Sequence, residues 1–325
     1  MFDMRADIVG IGSTVYDTLM VVDHFPKEDT KLRGLETRIQ GGGPCATALV
    51  AASRLGMATA YMGTIGDDGF GKYMLEDLGR WGVDTTHVRM EKGAVSFHST
   101  VLLSRSAGSR TCIWNPGTVR PPRPEQLDER ALRGTRALHL DGHMLEAAIH
   151  GAKLCREAGV TVSLDAGGRY PGIENLLPLV DYLIPSEEFA LGFTGMEDAP
   201  GAARRLMELF HPRLIVITQG KAGGLILDHQ GLRAYDSYPV EAVDTNGCGD
   251  TFHGAFLAGM LKGMHADDAC RYASAAAAIK CTRLGARLAM PDDEECRRFL
   301  KDRGVTLPTN PKEEENCHGT KSLHE

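Results

Sequence analysis

The chain has 325 residues, of which 42% are hydrophobic and 24% charged, a balance that suits one large α/β domain carrying an insertion. Its formal net charge of -7 excludes a broad nucleic-acid footprint, although local donors could still hold a phosphate-bearing ligand. No apolar window reaches membrane-spanning length, residues 1–12 lack a signal-peptide pattern, and the 8 cysteines show no C-x-x-C spacing, so the expectation is a cytoplasmic protein with reduced thiols and no zinc site or disulfide framework.

Residues 6–11 (ADIVGI) read as a short buried strand that breaks at Gly12, and residues 17–22 as a second strand. Residues 23–40 are polar, with weak alternation over 31–39 that suits strands covering a site rather than filling a core. A Gly41-Gly42-Gly43-Pro44 turn leads into helical spacing at Ala48, Leu49, Ala52 and Leu55, stopped by Gly56. Such a turn presents backbone N–H groups at a helix N-terminus. A strand over 58–65, a turn over 67–71 and a helix over 72–82 follow, then two strands over 96–103 and 110–114 about a turn at Ala107-Gly108. The pattern continues with a strand at 137–140, a helix at 145–158 ended by Gly159, and a strand at 160–164. Next come a strand at 182–184, a helix at 199–209 with Pro200 in its first turn, a strand at 214–218, and a hairpin over 222–228 and 232–235. From Asp250 onward the chain is helical, with Ala-rich stretches over 252–262 and 266–282.

This alternation predicts a mostly parallel sheet with helices on both faces, interrupted by strand-rich insertions at about 13–40 and 94–115 that form a small β lid. Residues 308–325 are polar and aperiodic and are expected to be a disordered tail, leaving 1–307 as one folded domain.

Residues 243–256 (VDTNGCGDTFHGAF) carry the clearest chemical signal. A strand-like stretch gives way to Gly247, Cys248 and Gly249, and then to Asp250 in the first turn of a helix. Glycines there let amides converge, and the helix dipole adds to them, so a developing phosphoryl charge could be held. A carboxylate beside that pocket could accept the proton of an attacking hydroxyl. The bland alternative, Asp250 as a plain N-cap, accounts for an isolated G-x-G-D but not for the longer string.

That string, Asp244-Thr245-Asn246-Gly247-Cys248-Gly249-Asp250-Thr251-Phe252, resembles the D-T-x-G-A-G-D-x-F signature of the PfkB (ribokinase-like) carbohydrate kinase family. Residues 41–60, followed by Gly63-Thr64-Ile65-Gly66-Asp67-Asp68-Gly69-Phe70-Gly71, resemble the family's N-terminal signature, roughly 200 residues upstream and in the right order. The resemblance implies a three-layer α/β sandwich, mostly parallel in its sheet, with an inserted β-strand lid. It implies a phosphotransferase that uses ATP and Mg²⁺, with K⁺ as a monovalent cation, to phosphorylate a hydroxyl of a sugar or sugar derivative. It also implies a homodimer paired through lid strands.

Carried over residue by residue, the resemblance makes Asp250 the general base and Gly247, Cys248 and Gly249 the anion hole. Asp244 and Asn246 match positions that bind the monovalent cation. Asp17 matches an early Asp that binds sugar hydroxyls, and Gly42 and Gly43 the turn facing the substrate; Thr47 and His98 join them as candidate contacts. Thr218, Gly220 and Gly223 match a nucleotide-binding strand end, and Asp165 and Arg169 resemble a D-x-N-x-R near phosphates or substrate. The family's magnesium-linked N-x-x-E reads Ser186-Glu187-Glu188-Phe189 here, so Ser186 falls to the nucleotide and Glu187 or Glu188 to magnesium through water. Three departures stand out: Cys248 replaces an Ala, Ala46 replaces the Asn after the Gly-Gly turn, and Gly167 replaces the Asn of D-x-N-x-R.

Arg110, on the second strand after the Gly108 turn, could reach a carboxylate, sulfonate or phosphate on the substrate. His139, Asp141 and His143 alternate at a strand end and are expected to share one face as a satisfied polar cluster rather than a metal site. Other functions remain to be discriminated. A nucleoside kinase of the same family would use the same base, and a member that binds ligand without turnover would fit the altered 186–189 segment. A dinucleotide-dependent oxidoreductase is set aside, because Val15 stands where Gly10-x-Gly12 would need its third glycine.

Overall fold

The computed structural model describes residues 5–308, so nearly all of the expected tail lies outside the described residues. The chain opens with β1 (Ile8–Ile11), whose four residues are all buried, as a central parallel strand covered by helices on both faces requires. It then leaves the main sheet for β2 (Val15–Val22) and β3 (Glu36–Gly42), and returns through α1 (Pro44–Arg54) to β4 (Thr59–Tyr61). The strand expected over 58–65 is split: β4 stays in the main sheet, whereas β5 (Gly63–Gly66) pairs with β7 (Val88–Glu91) in a separate ribbon. Tyr61 explains the break, since its hydroxyl donates to Gly12 O at 2.7 Å and its ring fills the space beside Gly63.

Between those two strands lie α2 (Gly69–Arg80) and β6 (Val83–Asp84). The turn expected over 67–71 is the start of α2, where the Asp68 side chain accepts the Gly71 N–H at 2.8 Å. β8 (His98–Ser104) and β9 (Ser109–Asn115) complete the excursion. α3 (Glu129–Gly134), β10 (Ala137–Leu140), α4 (Leu145–Glu157), β11 (Thr161–Ala166) and β12 (Tyr182–Pro185) resume the α/β alternation. α5 (Glu187–Thr194), α6 (Ala199–Phe210), β13 (Leu214–Thr218), β14 (Gly224–Asp228) and β15 (Gly231–Tyr235) follow. The chain closes with α7 (Cys248–Leu261), α8 (Ala266–Cys281) and α9 (Asp293–Lys301).

Among the described residues the main sheet has nine strands in the order β15-β14-β13-β12-β11-β10-β1-β4-β6. Pairing is parallel from β6 across to β13, and the β14–β15 hairpin is an antiparallel edge. One face packs Leu49 of α1, Phe256 of α7 and Ala273 of α8; the other packs Leu132 of α3, Ala148 of α4 and Leu206 of α6. Glycines and alanines in α7 and the many alanines of α8 let these antiparallel helices approach closely over the sheet. A second sheet, β3-β2-β8-β9, stands apart, with β2 and β8 parallel and both outer pairs antiparallel. No described helix is long and apolar enough to cross a membrane.

Candidate active site

One half of the site is the loop that enters α7. Val243 N and Asp244 N both donate to Cys281 O, at 2.8 and 3.1 Å, fixing the loop's start against the end of α8. Gly247 is the N-cap with φ 75°, and a Cβ there would lie 2.8 Å from the Ala286 Cβ, so only glycine fits. The next residues, Cys248, Gly249 and Asp250, form the first helical turn, whose amides lack partners inside the helix. The Cys248 amide leans back on Thr245 O at 3.3 Å, while the space over Gly249 is open. Asp250 is half-buried beside this amide cluster. Burial, reinforced by the nearby Asp165 charge, raises its carboxyl to about 7, with His253 and Arg287 pulling the other way.

Beneath Asp250 lies a buried polar layer. His253, one turn along α7, has Nε2 3.2 Å from Asp165 Oδ1 at the end of β11. Burial alone would raise Asp165, but the His253 charge and hydrogen bond outweigh it and hold the carboxyl below its usual range. His139 on β10 is lowered to about 4 by burial and by His253, so it is neutral at neutral pH. Asp141 is saturated: it accepts from Ser13 N (2.8 Å), Ser13 Oγ (2.7 Å), Cys45 N (3.1 Å) and His143 N (3.0 Å). It therefore pins the N-terminus of α1 to the end of β1. The expected shared face of His139 and His143 dissolves into separate contacts, because His139 lies against His253 and His143 pairs with Tyr170 at 2.9 Å.

On the lid side, Asp17 of β2 accepts from Ser99 Oγ of β8 at 2.6 Å, and burial raises its pKa against the pull of Ser99 and Arg287. Gly42 must be glycine, since a Cβ there would stand 2.0 Å from Asp17 Oδ2. Gly43 closes the same turn as the N-cap of α1. Arg287, fully buried after α8, binds this turn from below. It donates to Gly42 O at 2.6 Å, pairs with Asp77 Oδ2 of α2 at 2.7 Å, and reaches Thr47 Oγ1 at 3.5 Å. Thr47 itself is fully buried and so supports the turn instead of lining an open cleft. His98 packs its ring 4.7 Å from Phe70 and contacts Ser96 O. Arg110 crosses from β9 to the loop that enters α7, donating to Thr245 Oγ1 at 2.7 Å.

On the far side of the loop a cleft of about 630 Å³ is lined by Thr218, Gly220 and Gly223 at the end of β13, and by Cys248 and Gly249. The fold thus joins the two glycine strings, distant in sequence, at one cavity large enough for a nucleotide. Ser186 sits beside it through a parallel bridge to Thr218, its hydroxyl spent on capping α5 through Phe189 N at 3.1 Å. Of the two candidate magnesium partners, Glu187 faces this end, held by Gln219 Nε2 at 2.7 Å, whereas Glu188 is exposed. One such carboxylate suits Mg²⁺ held largely by water and phosphate oxygens. No group of three or more His, Cys, Asp or Glu among the described residues could hold a metal alone. Arg169 turns away to Gly192 O at 2.9 Å and does not join Asp165.

Each oxygen of Asp244 is engaged within the chain. Its Oδ1 accepts Asn246 N at 2.8 Å and its Oδ2 accepts Gly285 N at 2.9 Å. Its carbonyl oxygen accepts the Lys280 ammonium at 2.7 Å. Burial lowers Lys280 to about 8 while Asp244 and Asp250 oppose that fall, so it is cationic at neutral pH.

Cys248 and Cys281 bring their sulfurs together across the α7–α8 seam. The antiparallel pairing of α7 and α8 brings the first residue of one to the last of the other, across 33 positions of sequence. Cys45, Cys112, Cys155, Cys270 and Cys296 are free, and Cys317 lies outside the described residues.

The sequence reading missed Arg287, Asp77 and Lys280, whose partners are set only by the tertiary fold. His253 had a legible signal, since it falls three residues after Asp250 on the same helix.

Comparison with known proteins places the chain among relatives of one kind. The sequence model described as pfkB family carbohydrate kinase matches residues 5–293. The chain is 29% identical to a ribokinase of Haemophilus influenzae, over 92% of this chain and 99% of that protein. It is 30% identical to an ATP-dependent ribose-1-phosphate kinase of Halopiger xanaduensis, over 91% and 98%. The solved structure of Arabidopsis thaliana ribokinase complexed with ribose and ATP superposes with a TM-score of 0.82 at 27% identity, over 92% of this chain and 99% of that one.

Proposed function

The chain belongs to the pfkB family of carbohydrate kinases, and we propose that it transfers the γ-phosphate of ATP to a sugar hydroxyl with Asp250 as the base. The observation that carries the assignment is the half-buried Asp250 carboxyl, raised to about 7, beside the first-turn amides of α7. A base with that affinity for protons is partly ionised at neutral pH and strong enough to take a hydroxyl proton as the bond to phosphorus forms. The acceptor oxygen gains the phosphoryl group, its proton passes to Asp250, and ADP leaves with the electron pair of the broken P–O bond. The amides of residues 247–249 and the dipole of α7 hold the charge on the transferring group. The cleft at Thr218, Gly220 and Gly223 takes the nucleotide.

Asp17, Gly42 and His98 line the acceptor side, with Asp165 and His253 beneath the base. Glu187 would hold Mg²⁺ through water, and the bound ion would supply neutralisation of the phosphate charge. Arg110 favours an acceptor carrying a carboxylate, sulfonate or phosphate, because its guanidinium already spans lid and catalytic loop. The lid sheet further supports a homodimer, since Ile113 and Trp114 on its edge strand are each 63% exposed.

A coupled ADP-release screen over aldoses, ketoses, sugar acids, sugar phosphates and nucleosides tests the reading. Turnover with a sugar or sugar derivative that disappears in Asp250→Asn is expected. Turnover with nucleosides alone would move the chain to the nucleoside kinases. Tight ATP binding with no ADP release on any acceptor would make it a ligand-binding member of the family.

A further inference from the structure

Lys280 is an unusual residue for its position. It lies on the face of α8 that otherwise buries Ala273, Ala276 and Ile279, and its side chain has 0% exposure. A buried ammonium is costly unless it is paired and hydrogen-bonded. Here the Nζ donates to Asp244 O at 2.7 Å and stands 3.8 Å from Asp244 Oδ2, and the Asp244 side chain is likewise 0% exposed. Both remaining contacts of that carboxylate are backbone amides, Asn246 N and Gly285 N. Asp244 thus offers no oxygen that is not already engaged, and a single positive charge is already in place beside it.

We propose that Lys280 is a built-in monovalent cation for the catalytic loop, so that phosphoryl transfer by this chain requires no exchangeable K⁺. The inference rests on the kinase reading for its activity arm only. Lys280 is a positioning residue: its ammonium fixes Asp244, the loop then reaches Gly247 in the correct turn, and the amides of residues 247–249 stay aimed at the transferring phosphate. A covalently tethered ammonium carries the same unit charge as K⁺ and needs no binding step. The residue also lies close enough to Asp250 for their charges to interact, which places positive potential under the site where negative charge accumulates.

The experiment compares wild type, Lys280→Met and Lys280→Ala in buffers that contain MgCl₂ and whose only monovalent cation is tetramethylammonium, with and without added KCl, NH₄Cl or LiCl. Two readouts are taken: ADP release on the best acceptor of the screen, and melting temperature. For wild type, K⁺ should change the rate by less than about twofold and leave the melting temperature unmoved beyond what LiCl does. Both variants should lose about tenfold or more in kcat in the K⁺-free buffer. In Lys280→Ala, K⁺ or NH₄⁺, but not Li⁺, should restore part of that loss and raise the melting temperature, because the shortened side chain leaves room for an ion the size of the lost ammonium. A purely structural lysine would not give ion-selective rescue. Strong activation of wild type by K⁺, a Met variant with unchanged kcat, or an Ala variant with no cation response would overturn the proposal. If both variants fail to fold, the cation series on wild type decides alone. If no acceptor is turned over at all, the kinase reading fails, while the melting series still reports whether Lys280 fills a cation site.

Discussion

Asp250 joins chemistry to stability in one residue. Its carboxyl is raised from its usual 3.8 to about 7, chiefly by burial and then by Asp165. The base must be ionised to work, so kcat/KM should rise with pH and level off above an apparent pKa near 7. A profile already flat down to pH 5 would remove Asp250 from that role. Asp250→Asn keeps the shape and loses the proton acceptor, and turnover should fall by about 10³-fold or more.

The same shift has a second consequence with the opposite sign. The folded state binds this proton more tightly than the unfolded chain does, so stability is lost as pH rises from about 4 to about 7. Asn cannot ionise, and the variant should therefore be more stable than wild type at pH 8, by roughly 1–3 kcal/mol, with the gap closing towards pH 4. Urea melts at the two pH values measure this directly.

At the scale of elements, the β3–α1 turn and the loop after α8 are held by one buried ion pair. Arg287 is charged, fully buried, and bonded to Asp77 and Gly42 O. Arg287→Met leaves buried Asp77 with only the exposed Arg80 guanidinium, 3.7 Å away, which should cost about 2–4 kcal/mol in urea unfolding; adding Asp77→Asn should recover part of it. A loss below about 1 kcal/mol would mean that solvent reaches Asp77 freely.

The glycines of this turn were legible in the sequence, and so was the helix they start, because close approach and hydrophobic spacing are local properties. Arg287 was not legible, because its partners lie 210 and 245 residues away. The same holds for Thr47, where a helical position near the substrate turn looked like a contact and proved to be buried support. The split of residues 58–65 was hidden too, since the Tyr61 hydroxyl that forces it reaches back to Gly12. By contrast α9 carried a readable signal, a capping box between Asp292 and Glu295.

At the scale of the molecule, the lid meets the main domain through Arg110, and its outer strand faces solvent. β9 is exposed along its whole length. An edge strand of that kind, with Ile113 and Trp114 bare, is covered in solution or managed as a liability. Replacing both residues with Glu should convert a dimer to a monomer by light scattering; a wild type already monomeric at high concentration would refute lid pairing.

Arg110 is the more direct probe of how the lid serves chemistry. Its guanidinium spans 135 residues of sequence to reach Thr245, on the loop that leads to the base, and it remains exposed while doing so. Removing it should leave the melting temperature unchanged, because an exposed hydrogen bond contributes little to folding. It should instead raise KM for an anionic acceptor by about tenfold or more while sparing ATP, since a charge-assisted contact to a bound anion is stronger than one to water. A neutral sugar should feel the change far less. If Arg110→Ala weakens neutral and anionic acceptors equally, the arginine closes the lid without reading the substrate, and the case for an anionic acceptor falls with it.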